Sequence, residues 1–347
     1  MITDYNYYLD DMKKILFILK NENEPSGRFR AKAYFPYLKD FEIDIFYSEY
    51  HNQHMPKALR SIIKRARYLF LLKKAKKADR IFMQRPMSRD SKSGIFFEWL
   101  LSKINQNIIF DFDDAIHLVN QKKMARLIGI SKRIICSNEN LLDFTRQHHS
   151  DAIVIPTVID TEKFNAKKDK VPKDKITIGW TGTSGNYQFF SDQLLAELEK
   201  IINKYASKVE FLFICDKKPP EHFRFPYIFS RWHKKTEAKD LQKIDIGIMP
   251  LFDNEWARGK AGFKLIQYGA IGIPSVASNV GVNDQIILHG KTGYLVNGNE
   301  EDWGKYLECL INDEQQRKSF GNLARKHIEE NYSISSQYDK YISILRK

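Results

Sequence analysis

Short apolar runs recur along the chain, spaced so that most pairs leave room for a helix between them. Met12-Lys-Lys-Ile-Leu-Phe-Ile-Leu19 predicts a first strand, Phe41-Glu-Ile-Asp-Ile-Phe46 alternates like a second, and Ile81-Phe-Met83, Ile108-Ile-Phe110 and Lys132-Arg-Ile-Ile-Cys-Ser137 read as three more. The later half repeats the theme at Ile176–Trp180, Val209–Ile214, Tyr227–Phe229, Ile246–Leu251 and Ser275–Ser278. Helical periodicity fills the gaps. Ala31 to Leu38 is apolar-periodic behind a loop at Pro25–Arg30, a helix is expected from Asn138, and Phe263, Ile266 and Ala270 fall at i, i+3 and i+7. Trp303 to Lys347 reads as a helical tail. Strand, helix, strand in alternation is the signature of an α/β fold with parallel sheets.

The segment from Lys57 to Arg80 stands apart. On a helical wheel Leu59, Ile62, Ile63, Ala66, Leu69 and Phe70 share one face, while Lys57, Arg60, Lys64, Arg67 and Lys74 share the other. It carries ten Lys and Arg against one acid. A solvated helix face is one reading. A membrane-surface helix, helped by Leu71 and Leu72 if they are exposed, is the other.

At 347 residues there is room for two domains with separate cores, and 43% apolar content is that of a globular chain. Two boundaries are expected: a domain over 12–160, completed by a helix at about 333–347, and a second over 176–332, joined by a charged linker at 165–175. Residues 1–11 read as an extension before a start at Met12. No apolar run approaches the roughly 20 residues that cross a bilayer. The acidic amino end lacks the features of a signal peptide, so a cytoplasmic protein is expected, peripheral on the inner face of the membrane if the basic helix binds there. Cys136, Cys215 and Cys309 are too scattered for a metal cluster or a disulfide framework. Of the net charge of +13, residues 1–155 contribute +9, from 27 Lys and Arg against 18 Asp and Glu. That favours an anionic partner. No RNP-like, zinc-finger or KH-type motif accompanies the charge, so nucleic acid is not the expected one.

Candidate chemistry sits in four places. Arg258-Gly-Lys-Ala-Gly262 leads into the helix at Phe263, and Lys260 and Lys264 stand where the helix dipole already disfavours a cation, by about 0.3 to 1 kcal/mol. A diphosphate would resolve that conflict; a surface turn with solvated lysines is the plainer reading. Thr181-Gly-Thr-Ser-Gly-Asn186 is a small-residue loop of the kind that cradles phosphates. Pro25-Ser-Gly-Arg-Phe-Arg30 offers Arg28 and Arg30 for bidentate anion contacts, with Gly27 permitting a tight turn. Asp111-Phe-Asp-Asp-Ala-Ile-His117 places three carboxylates at a strand end, where Asp113 or Asp114 either acts chemically or caps a following helix. His289-Gly-Lys-Thr-Gly293 is not a Walker A loop, because the required first glycine would fall at Gln285.

Asp245-Ile-Gly-Ile-Met-Pro-Leu251 followed by Gly-Lys-Ala-Gly-Phe-Lys-Leu-Ile-Gln-Tyr-Gly-Ala-Ile-Gly-Ile-Pro-Ser-Val-Ala-Ser resembles the donor-binding core of GT-B glycosyltransferases, in particular the GT4-like group. Ile176-Thr-Ile-Gly-Trp-Thr-Gly182, Asp111–His117 and Ile153-Val-Ile-Pro-Thr-Val-Ile-Asp resemble other segments of that group. The resemblance implies two Rossmann-like domains facing each other across a cleft, and transfer of a sugar from a nucleotide-sugar donor to a glycan or lipid-linked acceptor, predominantly with retention and without metal or other cofactor. It implies cell-surface polysaccharide or glycolipid synthesis. By the same resemblance Asp113 and Asp114 are catalytic candidates. Gly182, Thr183, Ser184, Gly185, Arg231, Trp232, Lys260, Gly262, Phe263, Lys264 and Gln267 fall to the donor, and Ser26, Gly27, Arg28, Arg30 and His117 to the acceptor side. The group's pair of glutamates eight positions apart is here Gly259 and Gln267, which leaves the sugar contact unassigned. A sugar-nucleotide epimerase, or a non-catalytic polyanion- or membrane-binding protein, could use the same scaffold.

Overall fold

A computed structural model describes residues 12–49, 56–88, 94–166 and 174–347, with the side chains of 57, 58, 60 and 61 also outside the description. The chain divides into two compact units, one formed by Met1–Thr157 with Gln337–Lys347 and the other by Val158–Ser336. The expected extension 1–11 and most of the linker at 165–175 lie outside the described residues.

In the first unit the order is β1 (Lys13–Leu19), α1 (Pro25–Arg30), β2 (Phe41–Tyr47), α2 (Lys57–Lys77), β3 (Arg80–Gln84), α3 (Phe96–Ile104), β4 (Ile108–Phe112), α4 (Gln121–Gly129), β5 (Arg133–Cys136), α5 (Glu139–Arg146) and β6 (Ala152–Val154). All six strands pair in parallel, in the order β2-β1-β3-β4-β5-β6. The order reverses between β1 and β3. Beyond the C-terminal ends of those two strands lies the crevice at which open α/β sheets bind ligands.

Two local expectations are corrected. Pro25–Arg30 is a helix, with Pro25 at its first turn, where a proline's missing N–H costs nothing. Gly27 sits inside that helix with ordinary room around it and has no left-handed φ, so it makes no tight turn. Ala31–Leu38 forms a 3₁₀ segment over Lys32–Tyr37, with Pro36 inside it barring a regular α-helix.

The second unit repeats the plan with β7 (Ile176–Gly182), α6 (Asp192–Lys204), β8 (Val209–Cys215), β9 (Ile228–Arg231), α7 (Glu237–Leu241), β10 (Ile246–Met249), α8 (Glu255–Arg258), α9 (Phe263–Ala270), β11 (Ser275–Ser278), α10 (Asn283–Ile286), β12 (Gly293–Val296), α11 (Glu301–Asn312) and α12 (Glu314–Asn331). Its six parallel strands run β12-β11-β10-β7-β8-β9, so this sheet reverses between β7 and β10. The alternating elements read from sequence are therefore two parallel six-stranded sheets flanked by helices. The last helix, α13 (Ile334–Arg346), contributes Tyr341 to the first unit, where its ring stacks on Tyr34 at 3.8 Å.

Packing at the second reversal is tight by design of sequence. Gly247 leaves space for the Tyr268 ring, which a Cβ would meet at 2.4 Å, and the Tyr268 hydroxyl accepts a hydrogen bond from the Thr181 N–H at 3.0 Å. Helix α9 is thereby pinned across β7 and β10. Trp180, fully buried beneath, packs against Tyr187 and Phe190 in the unit's core.

Candidate active site

The loops leaving β7 and β10 meet through one side chain. A Cβ on Gly182 would lie 2.9 Å from Cε of Lys264 and 2.7 Å from the Trp180 ring, so the glycine is what lets the Lys264 stem cross the end of β7. Its ammonium sits 5.6 Å from the Trp180 ring centre, and that of Lys260 sits 5.4 Å from the ring of Phe189. Both lysines are half-buried. Gly262, at φ +62°, turns the chain into α9, and a Cβ there would meet Ile286 at 2.3 Å. The positive end of α9 and two ammonium groups thus gather at the sheet's reversal, the arrangement that favours an anion.

Other donor-side residues are more constrained. Ser184 is engaged: its N–H donates to Asp216 at 2.7 Å and its hydroxyl to the same carboxylate at 3.0 Å. Burial would raise the Asp216 carboxyl, but the Ser184 N–H, the Cys215 thiol, the Ser184 hydroxyl and its own backbone N–H together hold the group below the ordinary range. The Ser184 N–H of the small-residue loop is thus committed to Asp216, whereas Thr183 and Gly185 of the same loop are exposed. Gln267 is buried and donates to Glu237 at 3.1 Å, a pairing that brings a carboxylate beside the position where the related group carries glutamate. Phe263 is half-buried in the first turn of α9, and Arg231 and Trp232 close β9 at the sheet edge, with the Trp232 N–H donating to the Cys215 carbonyl at 2.9 Å.

The first unit's reversal carries charge of both signs. Arg30, buried, donates from Nε to Asp111 at 2.8 Å and from Nη1 to the Ile155 carbonyl at 3.0 Å. It is an internal tie from the end of α1 to β4 and the segment after β6, not a cation facing a ligand. Arg28 is likewise buried, over the Phe29 ring at 4.7 Å. Asp113 accepts from Ser26 Oγ at 2.6 Å and from Arg85 Nε at 2.8 Å, and Arg85 also pairs with Asp114 and with Glu24 at 3.3 Å. Burial by itself would raise the Asp113 carboxyl, yet the guanidiniums of Arg85 and Arg30 and the Ser26 hydroxyl hold it below the ordinary value. Neither aspartate caps a helix through its side chain. The turn that follows is a 3₁₀ segment, Ile116–Leu118, entered from Ala115, with His117 stacked on Phe144 at 4.3 Å.

Residues 175–313 match the family described as Glycosyl transferases group 1. The match covers about two fifths of the chain, all within the second unit. A D-inositol 3-phosphate glycosyltransferase from Paenarthrobacter aurescens is 38% identical over 93 residues, which is 26% of this chain and only 22% of that protein. The Staphylococcus aureus protein named capsular polysaccharide biosynthesis glycosyltransferase CapM is 22% identical over 204 residues, 53% of this chain and 51% of its own. The chain spans about a fifth and about half, respectively, of these relatives. Among solved structures, Anabaena Alr3699/HepE in complex with UDP and glucose superposes with a TM-score of 0.72 at 12% identity, covering 96% of this chain and 99% of that one. The fold is GT-B.

Three residues that the local sequence does not mark stand beside the candidate residues of the two units: Arg85 on Asp113 and Asp114, Glu237 on Gln267, and Asp216 on Ser184. The expected membrane residues divide. Side chains of Lys57 and Arg60 lie outside the described residues. Arg67 donates to the Tyr47 carbonyl at 2.6 Å over the Phe46 ring, and Lys74 pairs with Asp44, so both are tied to β2; Lys64 is exposed. The exposure entertained for Leu71 is corrected: with Tyr68 and Ala75 it is buried, Leu72 is half-buried, and Leu59, Ile62, Leu69 and Phe70 face outward, Ile62 and Leu69 at 62% and 63% exposure. Neighbouring α3 adds exposed Phe96 and Trp99, with Lys103 over the Trp99 ring.

Proposed function

We propose that the chain is a glycosyltransferase that moves a sugar from a nucleotide-sugar donor to a glycan or lipid-linked acceptor in cell-surface polysaccharide or glycolipid synthesis. The observation that carries this reading is Lys264 lying across Gly182 at the reversal of the second sheet, with Lys260 and the start of α9 beside it. Departure of a nucleoside diphosphate builds negative charge while the anomeric carbon becomes cationic, and fixed cations at the leaving group stabilise that charge where it develops. The two lysines supply the counter-charge without a metal ion. Retention at the anomeric carbon is carried over by analogy with the fold's other members. The UDP in a solved structure of the same fold and the capsular role in the name of a partial relative support the choice of donor class and setting. Adding UDP, GDP or ADP to the chain is expected to raise its melting temperature with at least one of them, by mass action on the folded state. The matching nucleotide sugar should then release it. No shift with any of the three would sink the donor reading.

An anionic membrane surface is part of the same proposal. No helix among the described residues is long and apolar enough to cross a membrane. The outward Leu59, Ile62, Leu69 and Phe70 of α2, with Phe96 and Trp99 of α3 and the exposed Lys64 and Arg65, form instead a surface of apolar groups interleaved with cations, the composition suited to the headgroup boundary. Pelleting with vesicles containing phosphatidylglycerol is expected to weaken in salt without vanishing, since the apolar part is not screened. Replacing Leu69 and Phe70 together by Ser should remove the salt-resistant fraction. Wild-type protein that stays in the supernatant at low salt would place the acceptor in solution.

A further inference from the structure

Arg85 is the one non-glycine residue with a left-handed backbone among the described residues, at φ +66°. For a residue with a Cβ that conformation costs on the order of 1 to 2 kcal/mol, so the surroundings must hold it there. They do so visibly. Its N–H continues the β3–β4 ladder by donating to the Asp111 carbonyl at 2.8 Å, and its guanidinium, only 8% exposed, reaches Asp113 at 2.7 Å, Asp114, and Glu24 at 3.3 Å. A right-handed backbone at this point would aim the side chain elsewhere. The three carboxylates come from the loop after β1 and the loop after β4, so a single planar group from β3 ties together all three strand ends at the sheet's reversal.

The two aspartates it holds differ in surroundings. Asp113 is enclosed by Ser26, Arg85 and, at 3.5 Å, Gln84, whose Oε1 is buried with no hydrogen-bond partner. The Asp114 side chain keeps 30% of its surface in solvent. Adjacent carboxylates would repel and spread if nothing stood between them, and a guanidinium fork is the group that can fix both.

We propose that Arg85 is a positioning residue, held in a strained backbone to keep Asp113 as an internal strut and to fix Asp114 as an outward carboxylate that accepts hydrogen bonds from sugar hydroxyls. This rests on the glycosyltransferase reading and deepens it. Arg85→Gly relieves the backbone and deletes the guanidinium, and Arg85→Lys keeps a charge without the fork. Both variants should bind UDP within about twofold of wild type, since the nucleotide belongs to the other unit. Hydrolysis of UDP-glucose to UDP and glucose, with water taking the glucosyl group in place of the acceptor, should fall about 100-fold in Arg85→Gly, the scale on which a misplaced group costs rate, and should recover in part with about 20 mM guanidinium chloride but not with sodium chloride. Arg85→Lys should fall between. The same guanidinium addition should raise the melting temperature of Arg85→Gly and leave wild type unmoved. Turnover of Arg85→Gly at the wild-type rate, or a melting temperature that guanidinium does not move, overturns the role of Arg85 whatever the donor. Absence of UDP binding by wild type counts against the donor reading alone, and the melting arm still decides on Arg85.

Discussion

The two sheets reverse their strand order in the same way, yet they fill the reversal with opposite chemistry. In the first unit two buried arginines, Arg30 and Arg85, face four carboxylates, Glu24, Asp111, Asp113 and Asp114, and both guanidiniums reach back into their own fold. In the second unit two lysines lie on aromatic rings beside glycines that no larger residue could replace without collision. One reversal is cross-braced and the other is kept approachable. A guanidinium presents a rigid fork that suits fixed pairs of carboxylates, whereas an ammonium on a flexible stem suits a phosphate that arrives and leaves. On the proposed reading the reversal is an internal brace in one unit and an anion seat in the other, and residue type decides which.

Breaking the brace should give the largest effect on stability. Asp111→Ala leaves Arg30 buried without its bidentate partner, and loss of one member of a buried pair costs about 3 to 5 kcal/mol. Denaturant unfolding measures it. A cost under about 1 kcal/mol would mean that Arg30 finds water or another acceptor, and that the first reversal is as open as the second.

Acid sharpens the contrast with a smaller effect. Asp113 is held below the ordinary carboxylate value in the folded chain, so its contribution is present above the unfolded value, about 3.9, and is lost as pH falls through the folded one. Stability should decline below about pH 4, and Asp113→Asn should show a shallower decline over the same window. Asp216 is shifted in the same direction by its bond from Ser184, so wild type and Asp216→Asn should differ as well. Parallel pH profiles for Asp113→Asn and wild type would remove Asp113 from the set of ion-paired carboxylates.

Much of the frame was legible in the sequence because it depends on neighbours in the chain. The apolar runs became strands, and Lys260 and Lys264 were marked by their conflict with a helix start three residues apart from them or less. What escaped depends on partners far along the chain. Arg30 meets Asp111 across 81 positions, and Ser184 meets Asp216 across 32, so both looked available when read locally. Arg85 carried only a faint signal, a cation at a strand end just before Pro86. The wheel groups the apolar residues of α2 but does not say which face meets the core, because apolar residues lie on both sides of that helix; Tyr68, Leu71 and Ala75, at i, i+3 and i+7, face the core, and the more numerous apolar set is turned outward.

The claim at the centre is that the second reversal is the diphosphate seat, and calorimetry of UDP binding to wild type, Lys264→Ala and Lys260→Ala tests it most directly. Each alanine variant should lose about 1.5 to 3 kcal/mol of affinity, the scale of a hydrogen bond to a charged group, with Lys264→Ala, whose stem crosses Gly182, the more affected. Binding of UDP by wild type with unchanged affinity in both variants would contradict the account.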